Sequence, residues 1–209
     1  MDDLKKYLSE ARIRTFENIN SQNPLQPYLR NIALCEAFYP AMHFLEIILR
    51  NKISKTLSKI IGSDWLETDL PSIFDNLELE NIKKAKQNLN KINKPIRSDN
   101  IISELNFGFW ISLFHKKYEA KIWQKKGALQ AVFSNHKNTG LILNVKRIRS
   151  DLENIKKLRN RISHHEPIIN LTPDIKYLHD LIYFYLKSLA PDLSESIAKV
   201  DRFESVFNN

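Results

Sequence analysis

Apolar residues recur every three or four positions along most of the chain, and the clearest run lies between 141 and 162. Leu141, Val145, Ile148, Leu152, Ile155 and Ile162 fall at spacings of four, three, four, three and seven, which traces one face of an amphipathic helix. The position skipped in that series holds Arg159, a side chain that stays charged at physiological pH and is rarely buried without a partner or an anion. Pro167 biases Glu166 away from helical geometry, so the pattern predicts a helix ending at His164 or His165.

The same reading predicts the other elements. A first helix over 3–18 turns Leu4, Tyr7, Leu8 and Ala11 inward, and a loop follows over 20–27. The stretch 28–61 is a long apolar-periodic helix that Pro40 either kinks or divides. Its second half buries Phe44, Leu45, Ile48, Leu49, Ile53, Leu57 and Ile60 or Ile61, and Gly62 stops it. On this helix Glu46 and Arg50 stand four apart in the order that favours a surface ion pair. A connector over 65–79 leads to a lysine-rich helix over 79–92, after which Ser98 caps a short helix reaching Leu105. Phe107, Phe109, Trp110, Ile111, Leu113 and Phe114 form an aromatic cluster at amphipathic spacing, so core packing is its expected use rather than stacking on nucleobases. Gly108 within it permits a close helix approach. Trp123 and Phe133 fall in a looser region that turns at 135–140, and His115 and His136 are surface histidines. Thr172 caps a helix with Pro173 and Asp174 in its first turn. That helix runs to Leu189, packs on the 141–165 helix, and carries His179 as a structural histidine. Pro191 opens a last helix to Val200, beyond which the tail frays.

Four glycines, eight prolines and no alternating strand pattern in 209 residues point to one all-α domain spanning 1–209, its core at about 25–190. The single cysteine, Cys35, excludes an internal disulfide framework and a cysteine zinc site. Asp64, Asp69 and Asp75 lack ligand spacing and a neighbouring histidine, so no metal is expected. No apolar segment has signal-peptide or membrane-span character, which predicts a soluble cytoplasmic protein with no membrane partner. Charge is unevenly placed. Residues 81–165 hold 19 Lys and Arg against 5 Asp and Glu, whereas 1–80 hold 9 against 12 and 166–209 hold 4 against 7. A basic section ending at the arginine-histidine segment fits a polyanion such as RNA, though a solvated lysine-rich surface gives the same pattern.

Arg159 followed after four residues by His164 at a helix end resembles the Arg-x4–6-His motif of HEPN-domain ribonucleases. The string LRNRISHHEPI (158–168) is similar to the Abi-like, abortive-infection branch of that superfamily. HFLEIILRNKI (43–53) with GSDW (62–65), and ELNFGFWISLF (104–114), precede it in the order that the resemblance requires. It implies a HEPN-like helical bundle with extra peripheral helices, acting as a metal-independent endoribonuclease, and it implies no cofactor. Polar residues on the early helix, Glu46, Arg50 and Asn51, would pack against the motif helix and help hold the active-site side chains, with Glu46 or Asn51 touching the Arg159 region. Motif helices of two protomers would face each other in a homodimer, and an RNA or protein antitoxin would be a further partner.

The residue chemistry fits such a role. Histidine titrates near neutral pH, so His164 can move the 2′-hydroxyl or leaving-group proton, and Arg159 offers a planar fork of donors for a phosphate gaining charge. Asn160 can orient substrate or imidazole. His165 is either a second proton-transfer group or a helix-end cation favoured by the macrodipole. Lys146, Arg147, Arg149, Lys156, Lys157 and Arg161 supply the nucleic-acid-binding face. In an unbroken helix His164 would lie about 140° and His165 about 120° around from Arg159, on opposite sides. A shared site therefore needs the helix to end there, or a second chain. A non-catalytic RNA-binding or regulatory module uses the same basic face without turnover, and an adaptor working through protein contacts would need no RNA affinity.

Overall fold

The apolar run over 28–61 folds as a single helix, and the chain is built around it. The computed structural model describes residues 2–67 and 72–208, in which all regular structure is helical. Two short helices, α1 (Asp2–Leu8) and α2 (Glu10–Glu17), precede the long α3 (Leu25–Ile60). After a connector come α4 (Asn76–Lys91), α5 (Ser98–Glu104), α6 (Phe107–Ser112) and α7 (Lys116–Tyr118), the last continued by a π-helical turn at Glu119–Trp123. Then follow α8 (Ala128–Val132), α9 (His136–Thr139), α10 (Val145–Ser163), α11 (Ile175–Leu189), α12 (Pro191–Ala198) and α13 (Phe203–Phe207).

Pro40 sits inside α3 without dividing it. Leu34, Phe38, Ala41, Leu45, Leu49, Ile53 and Leu57 form one buried stripe along its length, covered by α6, α8, α11 and α13. By length and composition this is the one helix among the described residues that is apolar enough to cross a membrane. Here its stripe is the protein core. Cys35 lies half-buried on the same helix, and burial pushes its thiol up to about 11, away from thiolate chemistry.

Several predicted details change. Ser9, at a φ of 65°, breaks the first helix in two. Ile13 and Phe16 pack inward, whereas Tyr7 and Ala11 are exposed and Leu8 is half-buried; tertiary contact with α3 overrides the weak local pattern. Ser98 is the first residue of α5 rather than its cap, and its hydroxyl donates to Glu67 at 2.7 Å. Asp174, not Thr172, caps α11, accepting from the Tyr177 amide at 2.8 Å. The tail does not fray at Val200: α13 follows, with Phe203 fully buried against Phe38 and His179. Asp69 lies outside the described residues.

The aromatic segment is core, as expected from its spacing. Asn106 caps α6 by accepting from the Phe109 amide at 2.9 Å, and Phe107, Phe109, Trp110, Leu113 and Phe114 are buried. Trp123 and Phe133 belong to the same core, contrary to the looser region read from their surroundings. The Trp123 ring stacks on Phe114 at 4.4 Å and its indole donates to the Leu113 carbonyl at 2.6 Å. Phe133 reaches Tyr185, whose hydroxyl donates to Asp151 on α10 at 2.9 Å. These contacts hold α10 against both α6 and α11. The α6–α7 region is itself pinned to α4. Glu78 is buried there, and although burial alone would raise its carboxyl, hydrogen bonds from Tyr118 and Lys117 outweigh it and hold the group below the usual range.

Candidate functional site

The buried face of α10 is Val145, Ile148, Leu152, Ile155 and Leu158, with Ile162 half-buried. Leu158 widens the predicted face, and Arg159 lies within the arc between Leu152 and Ile155 when the helix is viewed end-on. An arginine on that face has to find a polar environment. It does so where the end of α10 approaches α3: Arg159 Nε lies 3.6 Å from Glu46 Oε2, with the two side chains 38% and 25% exposed. That separation is an ion pair longer than a hydrogen bond.

Glu46 therefore reaches across to Arg159 rather than along its own helix, and the predicted Glu46–Arg50 ion pair is not formed among the described residues. Arg50 is left with its Nε buried and without a hydrogen-bond partner. Both arginines and Glu46 wall a cavity of about 390 Å³ together with Tyr39, Met42, His43, Ile47, Ile162 and Ser163. A buried donor with no partner is costly, and it marks Arg50 as a side chain whose hydrogen-bonding capacity the fold leaves unfilled. Asn51, the third predicted supporting residue, is exposed and is not part of this wall. It stands about 100° around α3 from Arg50, which turns it away.

The helix ends as Pro167 dictates, and the end has a defined form. His164 is the last half-helical residue, His165 has a left-handed φ of 56°, and the Glu166 and His165 amides donate to the carbonyls of Arg161 and Ile162 at 2.8 and 3.1 Å. This is a Schellman closure. Arg12 of α2 donates to the His165 carbonyl, and Asn31 of α3 accepts from the Ile168 amide at 2.8 Å. Those two positioning residues escaped the sequence reading because nothing local marks a contact across more than a hundred residues. Both imidazoles, His164 and His165, are exposed and neither walls the cavity. Since an L-residue is strained at positive φ, His165→Gly is expected to raise stability by about 0.5–1 kcal/mol in denaturant unfolding. A loss instead would mean that the imidazole itself holds the helix end.

Asn160 faces a different way. It borders a second depression of about 240 Å³ with Arg159, Lys156, Gly108, Phe107 and Asn106. At Gly108 a Cβ would stand 3.1 Å from Asn106 Oδ1, the oxygen that caps α6, so that cap would have to shift by a few tenths of an ångström to admit one. Along the outer face of α10, Lys146, Arg149 and Lys157 join Lys116 around a groove of about 620 Å³. Asn154 and Lys157 also border a neighbouring groove, of about 360 Å³, that includes Asn160 and Arg161. Neighbouring depressions share lining residues: Asn154 and Lys157 border both outer grooves, Asn160 the second groove and the small depression, and Arg159 that depression and the cavity. Two of the predicted cations are already paired, Lys156 with Glu153 at 2.6 Å and Arg161 with Glu166 at 3.1 Å. Arg147 is exposed and borders none of these grooves.

His179 is buried, with Nε2 2.9 Å from Asp201, in keeping with a structural histidine. Among the described residues, His179, Asp180 and Glu204 come close enough to share a cation. The Lys176 ammonium already pairs with both of those carboxylates.

The residue that the sequence reading passed over is His43. Tyr39, His43, Glu46 and Arg50 succeed one another at spacings of four, three and four, a polar line on α3 that was legible as a helix face. It went unread because the apolar face of the same helix dominates the pattern.

A family model described as Abi-like protein matches residues 2–170, which include α3, α6 and α10. No curated protein and no solved structure gives a significant match.

Proposed function

Since the chain belongs to the Abi-like protein family, we propose that its abortive-infection role is carried out by metal-independent cleavage of RNA, in a HEPN-like arrangement, within the cytoplasm. The observation that carries this reading is the convergence of Arg50, Glu46 and Arg159 on one cavity, with Arg159 also lining the depression next to it on α10. Arg159 and Arg50 hold the scissile phosphodiester. Their donors oppose the charge that grows on the phosphoryl oxygens as a ribose 2′-hydroxyl attacks. Glu46 keeps the Arg159 fork aimed across the cavity. Lys146, Arg149 and Lys157 carry the flanking strand, because neutralised phosphates release counterions.

His164 and His165 reach a bound strand only from the helix end, which favours a homodimer in which a second copy closes the cleft over them. Exposed Leu29, Ile32 and Tyr39 on α3 offer that copy an apolar face. An RNA or protein antitoxin restrains the activity in the resting cell.

The purified chain is expected to cut labelled RNA in EDTA and to bind it with an affinity that falls steeply with salt. The solvent-facing imidazoles favour a second reading, an RNA-binding module without turnover. Salt-sensitive binding with no cleavage under any condition would establish it, and absence of salt-sensitive binding would leave only an adaptor.

A further inference from the structure

The geometry points to His43 as the imidazole that takes the substrate 2′-hydroxyl proton, a role that rests on the ribonuclease reading above. His43 walls the same cavity as Arg50 and Arg159, whereas the two imidazoles of the motif helix do not. Its ring lies nearly parallel to Tyr39, with centroids 5.7 Å apart and 25° between planes, and meets Phe44 edge-on at 5.5 Å. These contacts orient the ring. Among the described residues no side-chain hydrogen bond engages its nitrogens, and the residue is exposed, so one nitrogen is available to a substrate.

With a phosphodiester between the two guanidinium groups, neutral His43 accepts the 2′-hydroxyl proton as the 2′-oxygen bonds to phosphorus. The P–O5′ bond breaks, its electron pair passes to the 5′-oxygen, and that oxygen takes a proton from water. The resulting hydroxide takes up the imidazolium proton, leaving a 2′,3′-cyclic phosphate, a 5′-hydroxyl and neutral His43. General-base assistance of this kind is worth about 100- to 10,000-fold in rate.

The test compares wild type, His43→Ala, His43→Gln and His164→Ala as full chains, with a labelled RNA oligonucleotide in EDTA. Both His43 variants are expected to cleave at least about 100-fold more slowly while binding the oligonucleotide as wild type does. As exposed-site changes they should melt within about 2 °C of wild type, and added imidazole should restore part of the His43→Ala rate. Undiminished cleavage in the His43 variants, with loss confined to His164→Ala, overturns the proposal and leaves the ribonuclease reading standing. Loss of binding in parallel with cleavage, without imidazole rescue, makes His43 a binding residue and also overturns it. No cleavage by wild type removes both readings together.

Discussion

Replacing Arg159 with alanine is expected to lower RNA cleavage by about 100- to 1,000-fold while leaving the fold and most RNA affinity in place. The magnitude is that of removing one preorganised donor aimed at developing charge, about 2.7–4 kcal/mol. The fold survives because Arg159 is 38% exposed and its pairing with Glu46 spans 3.6 Å, an interaction that solvent screening reduces to less than about 1 kcal/mol. Binding persists because Lys146, Arg149 and Lys157 lie along the grooves outside the cavity. Arg159→Lys keeps the charge and loses the planar fork, so its rate should fall between wild type and alanine. Single-turnover cleavage in EDTA, melting midpoints, and growth of cells expressing each variant read the three consequences separately. An alanine variant that cleaves at the wild-type rate would end the assignment of Arg159 to the chemistry.

The largest loss of stability is expected from Phe114→Ala, at about 3–5 kcal/mol. Phe114 is fully buried, lies flat on Trp123 at 4.4 Å with 3° between planes, and touches Phe133. Truncation leaves a void in an aromatic layer that extends through Phe133 and Tyr185 to Asp151 on α10. In a chain of this size that cost corresponds to a melting point lowered by roughly 10 °C. Thermal and denaturant unfolding measure it directly. A change below about 1 kcal/mol would mean that the aromatics are not a packed layer, and would reopen their use as a stacking surface for nucleobases.

Arg159 was conspicuous because a charge interrupts an apolar series, and the structure places it on that face. Pro167 marked the helix end to within a residue or two because proline constrains its neighbour sterically, a local effect. Asp174 displaced Thr172 as a cap because either side chain has the chemistry, and only the path of the chain selects between them. Glu46 had two cations within reach, Arg50 along its helix and Arg159 across the gap. Spacing along the helix allowed the first, the family resemblance implied the second, and packing chose the second. Phe203 and Trp123 read as peripheral because few apolar residues flank them, yet distant helices bury both.

The amino-acid order by itself determined the helical class, the apolar helical stretch at the centre of the chain, the aromatic core segment and the position of the arginine-histidine element. All of these follow from periodicity, capping and proline geometry within a few turns of chain, while the structure showed that Pro40 leaves the central stretch undivided. Tertiary structure alone decided which groups share the cavity: Arg50 and His43 line it, Asn51 turns away, and His164 and His165 are exposed at the helix end and are not part of its wall. The reason is that a helix fixes only the angle between its own side chains. How two helices rotate against each other is set by the whole packed core, here the aromatic layer and the contacts from Arg12 and Asn31 that hold the end of α10.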